Sequence, residues 1–474
     1  MRAVMLRRAV TPRRRPGGVA AVALALMGLA SGCLQADKRG VTGALADTAG
    51  TGDAAPTDTL IAADAAVDTT APDASASCPP GGLTVTTGTL ADPLVPWHVR
   101  VTHPGTIAFS GDTWPIDASD GLQRFRPHAD VHAAAVDAPD GATLIDGRDG
   151  ALLIEYPRPS SDRRMLAYVD EATRAELTSV SERFFAPDRH DPTLHLVTRD
   201  RAAFRSCVYD AQGACVTWRL RSWVPGEGQV RTLWEGPGDG VAPPPAPFVD
   251  ADGVLWAEPA DGAWRIRALR GGAVVTLHTV AEPVRELAAH TGGIVWLTAS
   301  GAWYAKPDRE PRRLYSGACG DLDSDGTHAV MLCRSGQSPA PDASWSPYLG
   351  AWGELWTYAG GDQLRRVPTT GALILNPRVD RGVVAWLSFP DRASGCFGEA
   401  TGLVRVAALA GDLTPITVAE VGIGCFCCAA IYPSQAISLS RGLLAWNYAP
   451  SESSSPDPPW SGGRLGWAQI TSCP

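Results

Sequence analysis

Alternating carboxylates at Asp321-Leu322-Asp323-Ser324-Asp325-Gly326 match the opening of a calcium loop, in which every second side chain turns toward one hard cation. The ninth and twelfth positions of such a loop fall on Ala329 and Leu332, where further oxygen ligands are required. The same six residues suit an Asp-rich turn. Calcium held by Asp321, Asp323 and Asp325 is therefore one expectation and a plain turn the other; no other cofactor is expected. His128 and His132 lie four apart, a spacing that serves zinc on a helix. The segment reads as a strand, along which four residues span about 13 Å, too far for one ion.

Ten of the eleven cysteines lie from Cys78 onward. The eleventh, Cys33, has a different setting. Six arginines between Arg2 and Arg15 form a basic head, an apolar run covers residues 19–30, and Leu29-Ala30-Ser31-Gly32-Cys33 follows. A basic head, a short apolar run and small residues before a cut describe a secretory signal, and the run is too short for a comfortable membrane span. Leu29 to Cys33 resembles the lipobox of bacterial lipoproteins. That resemblance implies cleavage after residue 32, lipid on Cys33 and a membrane partner reached through that lipid. Leu34, where the family places Asp for inner-membrane retention, implies an outer-membrane destination, facing the periplasm or the cell surface.

Export to an oxidising compartment makes disulfides the expected state of the remaining ten cysteines. Cys207 and Cys215 flank a short hairpin, Cys319 and Cys333 flank another, and Cys78 and Cys473 stand at the two ends of the folded body. Cys396, Cys425, Cys427 and Cys428 remain, with three possible pairings. Four thiolates could also hold zinc, but paired Cys-x-x-Cys knuckles are missing.

No Gly-x-Ser-x-Gly elbow and no Walker loop occur, and no α/β domain is expected after the body, so propeller-capped peptidases are not expected. The Asp-box of sialidases and the blade motif of quinone dehydrogenases are absent as well. The formal charge is -9; loss of residues 1–32 removes six arginines and no acid, leaving about -15. Such a body disfavours nucleic acid and does not adhere to anionic lipid through its surface.

The elements that must position these groups follow from a tether and a set of repeats. Between residues 36 and 77, Ala, Asp and Thr fill 27 of 42 positions without an aromatic. Such a stretch cannot bury enough apolar surface to offset its ordering entropy. Residues 33–77 are thus expected to be a flexible tether spanning about 35–40 Å root-mean-square. From residue 78 onward Gly253-Val254-Leu255-Trp256 recurs as Gly293-Ile294-Val295-Trp296, followed by Gly262-Ala263-Trp264 and Gly301-Ala302-Trp303. Gly382 to Trp386 and Gly442 to Trp446 are looser copies.

Units of four short strands at this period are propeller blades. The expected fold is all-β, a single propeller over 78–474 of about eight four-stranded blades: 98–136, 137–185, 186–240, 241–282, 283–317, 318–369, 370–420 and 429–472. The last shows three strands, and Leu83 to Thr87 is expected to supply its fourth. Residues 171–185 read alternatively as an amphipathic helix, which would leave seven blades. The repeat style resembles that of bacterial propellers of the TolB and YVTN type, and that resemblance implies binding or scaffolding more often than catalysis.

In each blade the A–B and C–D turns share one face, and B–C and D–A connections the other. A–B turns are short apart from 320–326. Length concentrates in 335–353, 390–401, 421–431 and 449–463, which carry Trp345, Tyr348, Trp352 and Trp460 as binding candidates. Long loops on a rigid scaffold are where binding resides, and Trp and Tyr give it area. The expected function is a membrane-anchored envelope lipoprotein whose propeller binds or scaffolds a protein or glycan partner. The rival is a hydrolase or oxidoreductase with its site in the propeller funnel.

Overall fold

The computed structural model describes residues 82–472 apart from stretches in the connections, the longest being 185–194, 335–352, 390–399, 424–436 and 449–463. Regular structure among the described residues is entirely β. Eight sheets follow one another along the chain as antiparallel meanders and stand in a ring, a β-propeller. Strands are lettered A to D from the axis outward.

The repeated tryptophans explain why the sheets pack as blades. Trp256, Trp296, Trp386 and Trp446 each occupy a B strand and are at most 2% exposed. Truncating a buried ring of this kind costs about 3–5 kcal/mol. The repeated glycines mark the A–B turns. A Cβ on Gly253 would lie 1.9 Å from the Leu269 carbonyl oxygen, and one on Gly293 would lie 2.3 Å from that of Ala305. Gly there lets strand C close over the hairpin. Apolar clusters link neighbouring blades all round the ring: Leu122 with Leu152, Tyr168 with Phe204, Ala203 with Trp256, Ile266 with Trp296, Trp296 with Met331, Val330 with Trp386, Leu387 with Trp446, and Ala445 with Val99.

Closure joins the two ends of the body. Leu83–Thr89 pairs antiparallel with Arg464–Ser472 from Leu83↔Ser472 to Thr89↔Gly466, so blade 8 takes its outermost strand from the beginning of the body. Pairing that edge removes an exposed row of backbone donors and acceptors.

Three expectations need correction. The described residues of 171–185 are not a helix: Arg174–Glu176 is strand D of blade 2, and Glu182–Phe184 pairs with strand B of blade 3, so the count is eight and the boundary of blade 2 falls earlier than 185. Strand A of blade 3 is consequently in two pieces, Glu182–Phe184 and Val197–Thr198. Residues 126–130 form a turn, not a strand, closed by the Arg126–Asp130 ion pair at 2.7 Å; His128 rests edge-on against Trp467. Finally, 320–326 is not a long turn: Cys319–Ser324 is strand A of blade 6 and the hairpin turns after Ser324.

Candidate functional site

The innermost strands carry charged side chains among apolar neighbours, and local irregularity explains how they reach the axis. The A–B ladder slips at Leu144/Asp146, Gly320/Asp323 and Leu375/Arg378. Asp321 and Asn376, inside two of these slips, have φ of 56° and 53°. A bulge adds a residue and re-aims the next side chain. Asp146, Asp323 and Arg378 are the residues so aimed.

These groups form a hydrogen-bonded chain through five blades. Arg100 of blade 1 donates through Nε to Asp146 Oδ1 of blade 2 at 3.3 Å and through Nη1 to its neighbouring carbonyl at Val99. Asp146 Oδ2 accepts the N–H groups of Leu196 and Val197 in blade 3 at 2.7 and 3.2 Å. His195, stacked on Phe248, places Nε2 at 2.6 Å from Asp323 Oδ1 of blade 6, and Asp323 Oδ2 accepts the Val379 N–H of blade 7 at 2.8 Å. Buried polar groups are tolerable when paired in this way.

The electrostatics follow from burial and partners. Burial pushes Asp323 up, but the hydrogen bond and charge of His195, the Arg378 charge and the Val379 N–H outweigh it and hold the carboxyl at about 2. Burial, reinforced by the Arg148 charge, lowers His195. Burial brings Arg100 down to about 10 against the pull of Asp146, and burial lifts Asp321 to about 6 against Arg378. Asp323 is thus a carboxylate at neutral pH, so His195 carries its proton on Nε2 and donates it there.

Above this network, on the face of the A–B turns, lies a cup of about 720 Å³ lined by blades 2 to 8. Its wall alternates acids, arginines and two histidines, and hydrogen bonds fix much of it. Asp250 Oδ1 accepts the N–H groups of Asp252 and Gly253, Asp325 Oδ1 those of Thr327 and His328, and Asp380 Oδ2 that of Gly442 in the next blade. Asp149 meets Arg441 at 3.2 Å, and Asp325 Oδ2 lies 3.3 Å from His328 Nδ1. Burial raises Asp250 and Asp380. On the opposite face a second hollow, of about 650 Å³, lies between Trp234 and Trp264 with Pro237, Pro259 and Pro283. Trp264 belongs to the repeated Gly-Ala-Trp.

Of the sequence-derived site residues, Cys207–Cys215 and Cys319–Cys333 form disulfides with α-carbons 5.8 and 4.1 Å apart. Asp321, Asp323 and Asp325 share one hairpin but have separate surroundings: Asp323 serves the axis, Asp325 the turn and the cup. No group of three or more His, Cys, Asp or Glu side chains among the described residues is disposed to hold a metal ion. Cys33, Cys78, Cys396, Cys425, Cys427, Cys428, Cys473, Trp345, Tyr348, Trp352 and Trp460 lie outside the described residues. Arg100, Asp146, His195 and Arg378 were missed by sequence reasoning. Their one signal is a charge set inside an apolar strand, as in Val99-Arg100-Val101 and Leu144-Ile145-Asp146.

No protein-family profile matches the chain, and no curated protein matches it. Among solved structures it is similar to a puromycin-hydrolyzing peptidase of Mycobacterium tuberculosis, at 12% identity and a TM-score of 0.42 over 77% of this chain and 59% of that one. The propeller domain of the Trilobed protease from Pyrococcus furiosus shares 8% identity at a TM-score of 0.39, over 75% of this chain and 91% of that domain. The WD40 domain of SCAP from fission yeast shares 8% at 0.41, over 81% and 98%. The chain thus spans about 59% of the length of the mycobacterial peptidase.

Proposed function

We propose that the protein is an envelope lipoprotein whose propeller is a binding or scaffolding module for a protein or glycan partner, engaged in the axial cup. In this reading residues 1–32 are a cleaved signal, Cys33 carries the lipid, 33–77 form the tether and the body from residue 78 stands off an outer membrane. The observation that carries it is the cup: a polar hollow walled by hairpins of seven blades, with a floor of hydrogen-bonded side chains. Hairpins tied down by their own carboxylates present fixed donors and acceptors, so little ordering entropy is lost when a partner docks. Mixed charge on the wall suits a polar partner bearing both signs.

A second reading, a hydrolase or oxidoreductase, has one observation in its favour: Asp325, His328 and the raised carboxyl of Asp380 share the cup. Two measurements test the assignment. Crosslinking the lipidated chain in intact envelope should recover a discrete protein or glycan partner, and Cys33→Ser should move the chain to the soluble fraction after a carbonate wash. Turnover of a peptide, ester or glycoside panel that is lost in His328→Gln would replace the binding reading with the catalytic one.

A further inference from the structure

Beneath the cup is a small cavity of about 30 Å³ on the axis, lined by Arg100, Asp146, Arg148, His195, Asp323, Arg378 and Ser438 among others. A single water needs about 10–15 Å³ by this kind of measure, so one compact ion fits. Three guanidinium groups and two carboxylates meet here, and every carboxylate oxygen already accepts a hydrogen bond from a group other than Arg148. Asp146 gives one oxygen to Arg100 and the other to two backbone N–H groups; Asp323 gives one to His195 and the other to Val379. Arg378 has the Asp321 charge near it from outside the lining.

Arg148 is the exception. Its Nη2 lies 3.3 Å from His195 Nε2, but that nitrogen donates its proton to Asp323 and cannot also accept from Arg148. Two donors therefore face each other at the edge of the cavity, and neither carboxylate there accepts from Arg148. The Ser438 hydroxyl, which accepts the Val101 N–H at 3.0 Å, has its own proton to give. The Arg148 and Arg378 charges also act to lower Arg100, so the guanidinium groups are close enough to repel one another.

We propose that this cavity is a binding site for one monovalent anionic group, with Arg148 as its principal ligand and the Ser438 hydroxyl as a second donor. The group is either a free halide or a carboxylate presented by whatever occupies the cup, since Arg148 lines both spaces. The anion supplies the acceptor that Arg148 lacks and offsets the mutual repulsion of the guanidinium groups. The site stands whether or not the cup binds a partner as proposed above.

The test is chloride NMR line broadening by the full-length chain, with Arg148→Gln and Arg148→Lys as variants and thermal melts as the folding control. Expected is saturable excess broadening that falls at least about five-fold in Arg148→Gln and is largely kept in Arg148→Lys, where the charge remains without the fork. Sodium acetate that displaces the chloride assigns the seat to a carboxylate as well; acetate that does not assigns it to halide alone. Broadening that is absent, or equal in Arg148→Gln, overturns the proposal. Should Arg148→Gln fail to fold, bromide-soaked crystals of the unaltered protein decide: a bromide at Arg148 and Ser438 supports the site. Bromide confined to surface arginines, an adventitious ion only, overturns it.

Discussion

Asp323 in blade 6 and His195 in blade 3 are not neighbours in the ring, yet their side chains meet at 2.6 Å. Both are at most 4% exposed. Burial lowers His195, so Asp323 meets it as a charged acceptor, and weakening that acceptor while the His195 and Val379 donors stay buried costs about 1–3 kcal/mol. Asp323→Asn is expected to lower stability by that order.

The pH dependence of the same pair has a definite sign. The Asp323 carboxyl is depressed from 3.8 to about 2, so its contribution is present above pH 3.8 and is lost as pH falls through 2. Denaturant unfolding between pH 5 and 2 is expected to show this acid loss in the natural chain and to show less of it in Asp323→Asn. Identical acid limbs in the two proteins would contradict the assignment.

Asp321 has the opposite sign. Its carboxyl is raised from 3.8 to about 6, so folding favours the protonated form, and the benefit present below pH 3.8 is gone above 6. Asp321→Asn is expected to stabilise the protein at pH 7 by on the order of 1–2 kcal/mol, discounted because the residue is partly solvated, and to change little at pH 3. A paired pH series of melting temperatures checks it.

These two residues also illustrate what could be read from the chain. Blade number, closure by a strand at Leu83 to Thr87 and the two hairpin disulfides were legible because each depends on local marks: a Trp in strand B, a Gly at the turn, a Cys on either side of a hairpin. The axial network was not. It draws single residues from separate blades, and bulges that form only when strands A and B pair aim three of them. Asp323 stood out within a run of alternating carboxylates, yet its partner lies 128 residues away. Glu182–Phe184 was assigned to the wrong blade because a three-residue strand has no period of its own.

The two observed disulfides close chain separations of 8 and 14 residues. Chain entropy puts the larger at about 3 kcal/mol and the smaller somewhat below. Cys319→Ser and Cys333→Ser should lower the melting temperature equally, and the double variant no further, as befits one bond. Additive losses would show that each thiol acts separately.

Ring closure is open to a sharper test at Gly88, where a Cβ would meet the Trp467 ring at 2.3 Å. Gly88→Val is expected to displace the closing strand and speed amide exchange across 464–472 while leaving blades 3 to 6 protected. Cys473 directly follows Ser472, whose register partner Leu83 lies five residues after Cys78. A clasp between Cys78 and Cys473 predicts equal, non-additive losses in Cys78→Ser and Cys473→Ser.

In the proposed function the cup is the face that meets a partner. Arg381 lines it, is exposed and sits in the hairpin turn of blade 7, whereas Trp264 lines the hollow on the opposite face. The decisive measurement is the recovery of crosslinked envelope partner by the natural chain, Arg381→Glu and Trp264→Ala, each at equal abundance and with matched melting curves. Arg381→Glu is expected to reduce recovery about ten-fold, the equivalent of roughly 1.4 kcal/mol, with Trp264→Ala unchanged. Recovery that survives Arg381→Glu and is lost in Trp264→Ala would place the partner on the aromatic face and contradict the account.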